Sequence, residues 1–108
     1  MTETHPLDRL FATVASRKRA DPKRSYTAQL LKKGVAQCAK KLGEEGVEAA
    51  LAAVGGKKKE IVAESADVLF HLLVVWAACG VKPESVYRVL AQRQGRSGLK
   101  EKKSRKRK

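Results

Sequence analysis

Lys40-Lys41-Leu42-Gly43-Glu44-Glu45-Gly46-Val47-Glu48, then Gly55-Gly56, then Glu64-Ser65-Ala66-Asp67-Val68-Leu69-Phe70-His71: these three stretches decide how the chain folds. The paired glycines are the clearest punctuation in the sequence and divide one long apolar region into two helices. Glu48 and Glu45 stand 7 and 10 residues before Gly55, and Glu64 and Asp67 stand 8 and 11 residues after Gly56. At a rise of about 1.5 Å per residue, an antiparallel hairpin brings all four carboxylates to nearly the same height. Residues three apart share a helix face, so Glu45 goes with Glu48 and Glu64 with Asp67. Carboxylates gathered in this way repel one another, the more so as water leaves. A cation must compensate them. Hard oxygen donors without a His or Cys partner point to Mg²⁺ or Mn²⁺ rather than zinc. The competing reading makes these acids solvated helix-face residues paired with Lys40, Lys41, Lys57, Lys58 and Lys59. The matched heights, and apolar neighbours such as Val47, Leu51, Ala66 and Val68, weigh against it.

Outward from the hairpin, every periodicity is helical. Leu7, Leu10, Phe11 and Val14 recur at i, i+3, i+4 and i+7 behind Pro6, predicting a helix to about Arg19. Ser25 reads as the N-cap of a second helix over Tyr26 to Lys33, after which Gly34 either breaks or bends the chain. A third helix is expected from about Val35 to Val54. A fourth should run from about Lys59 to Cys79 with Gly80 closing it, and a fifth from Pro83 to about Arg93. The expected fold is all-α, a helical hairpin-based bundle of about five helices. From Val68 to Ala78 nearly every position is apolar, Phe70 and Trp76 included, and a helix hydrophobic all round is buried on all sides. So short a chain hardly encloses it. Completion by dimerisation is therefore expected, with a self-wrapped monomer as the alternative.

The chain has 108 residues, which suggests one domain, here over 1–95, followed by a basic disordered tail over 96–108. Lys and Arg number 24 against 11 Asp and Glu, for a formal charge of +13, and seven of the last nine residues are basic. A polyanionic partner follows, either nucleic acid or a polyphosphate-bearing small molecule, and the tail itself suits nonspecific nucleic-acid contact or substrate steering. The N-terminal stretch has no basic region leading into an apolar one, so no signal peptide is read and a cytoplasmic location is expected. The longest apolar run, Val68 to Cys79, falls short of the roughly 20 residues that span a bilayer, and no membrane partner is expected. Cys38 and Cys79 form no CxxC pair and read as two reduced, partly buried thiols.

Glu44-Glu45-Gly46-Val47-Glu48 followed by Glu64-Ser65-Ala66-Asp67 resembles the EExxE…ExxD signature of the all-α nucleoside triphosphate pyrophosphatases, the MazG-like superfamily. Within it, Ser25-Tyr26-Thr27 with Leu30-Leu31, Lys40 to Glu45, and Glu64 to Leu73 are similar to the phosphoribosyl-ATP pyrophosphatase family, from about Leu7 to Arg93. The resemblance implies Mg²⁺-dependent hydrolysis of the α–β phosphoanhydride of phosphoribosyl-ATP to phosphoribosyl-AMP and pyrophosphate, the second step of histidine biosynthesis. The monofunctional form, without a fused cyclohydrolase domain, is the expectation. Glu45, Glu48, Glu64 and Asp67 are then the expected metal ligands, with Mg²⁺ the cofactor and Mn²⁺ a substitute. Glu44 is catalytic beside Glu45 and Glu48, either as an outer group or as the base that takes a proton from water. Lys40 and Lys41 are expected to neutralise the leaving pyrophosphate. Ser25 and Thr27 are expected to hold phosphate oxygens, with a purely capping Ser25 equally open. His71, one turn after Asp67, is read either as the group that orients a metal-binding carboxylate or as a plain core residue. Lys57-Lys58-Lys59 and the tail depart from the family pattern. Two other readings stand beside this one: a house-cleaning hydrolase of other nucleoside triphosphates, and a basic helical nucleic-acid-binding module. The latter explains the charge but not the clustered acids.

Overall fold

The hairpin forms where the glycines put it. The computed structural model describes residues 5–94. Its elements are α1 (Pro6–Ser16), a 3-10 turn (Arg17–Arg19), α2 (Tyr26–Lys33), α3 (Val35–Gly55), α4 (Lys58–Cys79) and α5 (Pro83–Arg93). No strand occurs among the described residues, and the fold is all-α. The expected disordered tail over 96–108 lies outside the described residues.

Gly56 takes φ +77° and its N–H donates to the carbonyls of Ala52 and Ala53 at 3.1 and 3.2 Å, closing α3 in the left-handed conformation that side chains resist. The chain then reverses within two residues into α4, and α3 and α4 form the most extensive helix–helix contact. Gly34 breaks the chain: at φ +95° it ends α2 and starts α3, so these are two helices and not one bent helix. α1 stops at Ser16, three residues short of the expected end. There the Ser16 hydroxyl turns back onto the Thr13 carbonyl at 2.6 Å, and the basic stretch Arg17–Arg19 tightens into a 3-10 turn. α4 closes as a Schellman motif. The N–H of Val81 donates to the Trp76 carbonyl at 2.9 Å and that of Gly80 to Ala77 at 3.4 Å.

The core sits where α1, α2, the start of α3 and the second half of α4 meet. Val14, Leu30, Cys38, Val74 and Ala77 are buried there, with Leu10, Phe11, Leu31 and Phe70 packed around them. Cys38 donates its thiol to the Leu30 carbonyl at 3.2 Å, and burial pushes its acidity down by raising its pKa. Cys79 is exposed rather than partly buried, because it falls on the solvent side of the last turn of α4. α5 is tied back by the Tyr87 hydroxyl, which donates to Asp8 on α1 at 2.9 Å.

One chain does not enclose α4. Leu73 and Val74 are shielded by the chain's own core, at 1% and 0% exposure, yet Val62 and Leu69 remain 69% and 41% exposed. By length and composition alone α4 would also suffice to cross a membrane, with a mean hydropathy of 1.7 over an 18-residue window. The unbroken run of twelve misses this because the window tolerates interspersed acids. The central helix of a bundle has the same composition, and α4 packs against α1, α2 and α3.

Candidate active site

The acidic site is built from the middle of α3 and the first half of α4. Three-residue spacing turns Glu45 and Glu48 onto one face of α3, and the short turn aligns Glu64 opposite them. One carboxylate oxygen from each of Glu45, Glu48 and Glu64 lies within 4.8 Å of the other two. Glu48 and Glu64 open onto a cavity of about 430 Å³, whose rim adds Leu51, Ala52 and Glu60. Asp67 stands outside that trio, one turn further along α4, but near enough for its charge to act on Glu45 and Glu64.

The electrostatics are those of carboxylates that repel one another. Burial first, then the Glu48 carboxylate, raise the pKa of Glu45 above the ordinary 4.5. Glu64 is raised for the same reasons, with Asp67 and Glu60 adding to the repulsion. Oε2 of Glu45 and Oε2 of Glu64 are buried without any hydrogen-bond partner. Unpaired buried carboxylate oxygens are costly and are normally matched by a donor or a cation. A divalent ion with oxygen preference fits this donor set, with Glu45, Glu48 and Glu64 as the residues that would hold it and Asp67 next in reach.

Around the trio, Lys41 forms an ion pair with Glu44 at 3.4 Å. Its ammonium is held above its ordinary pKa by the nearby Tyr26 phenol first and by Glu44 second. Glu44 itself faces solvent, with its side chain 48% exposed. Lys40 is exposed and off this cluster. Ser25 Oγ accepts the Ala28 N–H at 3.1 Å and so caps α2, which leaves its hydroxyl proton to donate elsewhere. Thr27 is half-buried on the first turn of the same helix.

His71 is 5% exposed, and its Nδ1 has no hydrogen-bond partner. It makes no hydrogen bond to Asp67 among the described residues. Instead its ring stands edge-on to Phe70 at 5.0 Å and to Tyr26 at 6.3 Å between centroids. Burial, then Lys41, lower its pKa and keep it neutral, against the opposing pull of Asp67 and Glu44. Two residues near the site had no role from sequence. Glu60 rims the acidic cavity, and its place one turn before Glu64 was the available signal. Tyr26 joins α2 to His71 and Lys41, which no local periodicity reveals.

An all-helical hairpin carrying a carboxylate cluster at its seam suits a divalent ion and, through it, a polyanionic ligand. The family model of phosphoribosyl-ATP pyrophosphohydrolase matches residues 7–94, and the chain belongs to that family. Curated relatives agree. The phosphoribosyl-ATP pyrophosphatase of Azospirillum brasilense is 54% identical over 100 residues, covering 93% of this chain and 90% of its own. That of Parvibaculum lavamentivorans is 57% identical over 99 residues, covering 92% and 91%. That of Paracoccus denitrificans is 51% identical over 108 residues, covering 98% and 100%.

Proposed function

We propose that the chain hydrolyses phosphoribosyl-ATP at the α–β phosphoanhydride, releasing phosphoribosyl-AMP and pyrophosphate, as a cytoplasmic step of histidine biosynthesis. The observation that carries this reading is the convergence of Glu45, Glu48 and Glu64 on one point beside an open cavity. An Mg²⁺ ion, or Mn²⁺ in its place, would supply charge neutralisation of the triphosphate and Lewis-acid polarisation there, held by Glu45, Glu48, Glu64 and Asp67. The chain's own residues do the rest. Water adds to phosphorus, the bridging P–O bond breaks, and the water's proton passes to a carboxylate, for which Glu44, outside the set that would hold the ion, is the residue at hand. Lys41, firmly cationic beside Tyr26 and Glu44, meets charge on the departing pyrophosphate, with Lys40 one residue back. Ser25 and Thr27 offer hydroxyl donors at the N-terminus of α2, where a phosphate oxygen is also favoured by the helix dipole. Buried His71 stands edge-on to Tyr26 and packs as a core residue beside the site.

A homodimer completes the bundle in this reading. Val47, Leu51 and Val54 recur at i, i+4 and i+7 on α3 with exposures of 60%, 65% and 87%, and Val62 and Leu69 continue the apolar surface on α4. Only 22% of the most apolar window of α4 is buried within a single chain. A second copy is the partner of matching chemistry.

The test is release of pyrophosphate from phosphoribosyl-ATP with and without Mg²⁺, beside a panel of ordinary nucleoside triphosphates. Metal-dependent release with phosphoribosyl-ATP preferred is the expected result. Faster turnover of the ordinary triphosphates would favour a house-cleaning hydrolase instead.

A further inference from the structure

A second cavity, which the acidic site does not use, lies towards the other end of α4. It measures about 500 Å³, within the range of small-molecule sites. Lys18 and Arg19 from the 3-10 turn and Lys32 from α2 stand around it, over a floor that includes Leu31, Val35 and Ala78. No carboxylate lines it. None of the three cations has an ion-pair partner among the described residues. α3 also begins at its edge, with no side chain capping the first turn and no acid in that turn. Three unpaired cations around an apolar floor make a receptor for a phosphate carried on a ring system.

Its position along α4 says which phosphate. Glu64 and Ala78 are fourteen residues apart on one helix, about 21 Å at a rise of 1.5 Å per residue. Phosphoribosyl-ATP carries phosphate at both extremities: the triphosphate on one ribose, and a monophosphate on the second ribose attached to the far side of the purine. Some sixteen bonds separate the α phosphorus from that monophosphate, and at about 3.8 Å per three bonds a fully extended path reaches roughly 15–20 Å. Fully extended, the substrate comes close to the axial separation of Glu64 and Ala78, one lining residue of each cavity. We propose that the cavity bounded by Lys18, Arg19 and Lys32 takes the phosphoribosyl monophosphate, so that the chain measures its substrate from end to end and selects against ATP, which lacks that end. The inference rests on the reading that phosphoribosyl-ATP is the substrate.

The experiment compares wild type with Arg19→Ala/Lys32→Ala, and with Lys57→Ala/Lys58→Ala, which removes the same charge at the hairpin turn. Circular dichroism confirms that both fold; all four positions are exposed. The Arg19→Ala/Lys32→Ala protein should show a KM for phosphoribosyl-ATP raised by about tenfold or more, as expected for lost charge-assisted contacts, with kcat changed little. Ribose 5-phosphate, titrated directly by calorimetry in 150 mM salt, should bind wild type and not this variant. The proposal is overturned if KM is unmoved, if the turn variant raises KM equally, or if both proteins bind ribose 5-phosphate alike. Failure of the functional reading looks different: wild type itself would not turn over phosphoribosyl-ATP. The calorimetric comparison would still decide whether the basic cavity holds a sugar phosphate.

Discussion

The two halves of α4 have opposite tasks. Its second half supplies His71, Leu73, Val74 and Ala77, all buried, and it anchors α1 and α2. Its first half buries nothing fully and instead sets out Glu60, Glu64 and Asp67 against the acids of α3. Hydrophobic burial in one half stabilises the repulsion concentrated in the other. A helix continuous through both transmits that rigidity, so the carboxylates hold their spacing although they push apart.

The sharpest way to break the comparison is a charge in the stabilising half. Val74→Lys puts an ammonium at a position with no exposure and no partner. At roughly 3–5 kcal/mol for an uncompensated buried charge, most of the stability of a small domain is lost. Soluble folded protein should disappear, read as loss of the cooperative thermal transition. Leu73 and Val74 therefore report on the single chain's core and not on contact between copies.

In the acidic half the same kind of change should leave the fold intact and remove function. Glu48→Gln or Asp67→Asn is expected to lower turnover more than about 100-fold, beyond what losing a supporting partner of a metal ligand costs. Near-normal kcat in both variants, with Mg²⁺ still required, would remove these residues from the site.

Contact between copies is probed on the apolar stripe. Leu51→Lys should shift wild type from about twice its 11.8 kDa chain mass towards one chain mass in sedimentation, or produce aggregates. Wild type sedimenting as a single chain would refute the dimer.

The smallest effect sharpens the contrast through pH. Glu45 and Glu64 have folded-state pKa values raised above 4.5, chiefly by burial and next by Glu48. Their contribution to stability is thus full below about pH 4.5 and is lost as pH rises through the raised values. In EDTA, Glu48→Gln should melt higher than wild type at pH 7, and the gap should close towards pH 4. Added Mg²⁺ should raise the wild-type midpoint more than that of the variant. An equal gap at both pH values would mean that the cluster is not strained.

The helices, their caps and the register of the hairpin were legible in the sequence because each depends on a few neighbouring residues. Ser25 three positions before Ala28, glycines 55 and 56, and acids spaced by three needed only helical geometry and a short turn to be placed. The resemblance in three motif blocks added the substrate class, which spacing alone left as any polyphosphate. Tertiary structure decided what depends on how one helix is rotated against another. It put Leu73 and Val74 into the chain's own core while leaving Leu51, Val54 and Val62 open. It drew Glu45, Glu48 and Glu64 within 4.8 Å and left Asp67 a turn away, although equal heights had placed all four together. It set Tyr26 beside His71, and it gathered Lys18, Arg19 and Lys32 from two elements around one cavity. Local periodicity encodes which face a residue occupies. Which face meets which is settled only by packing all the helices at once, because burying the most apolar surface is a property of the whole chain.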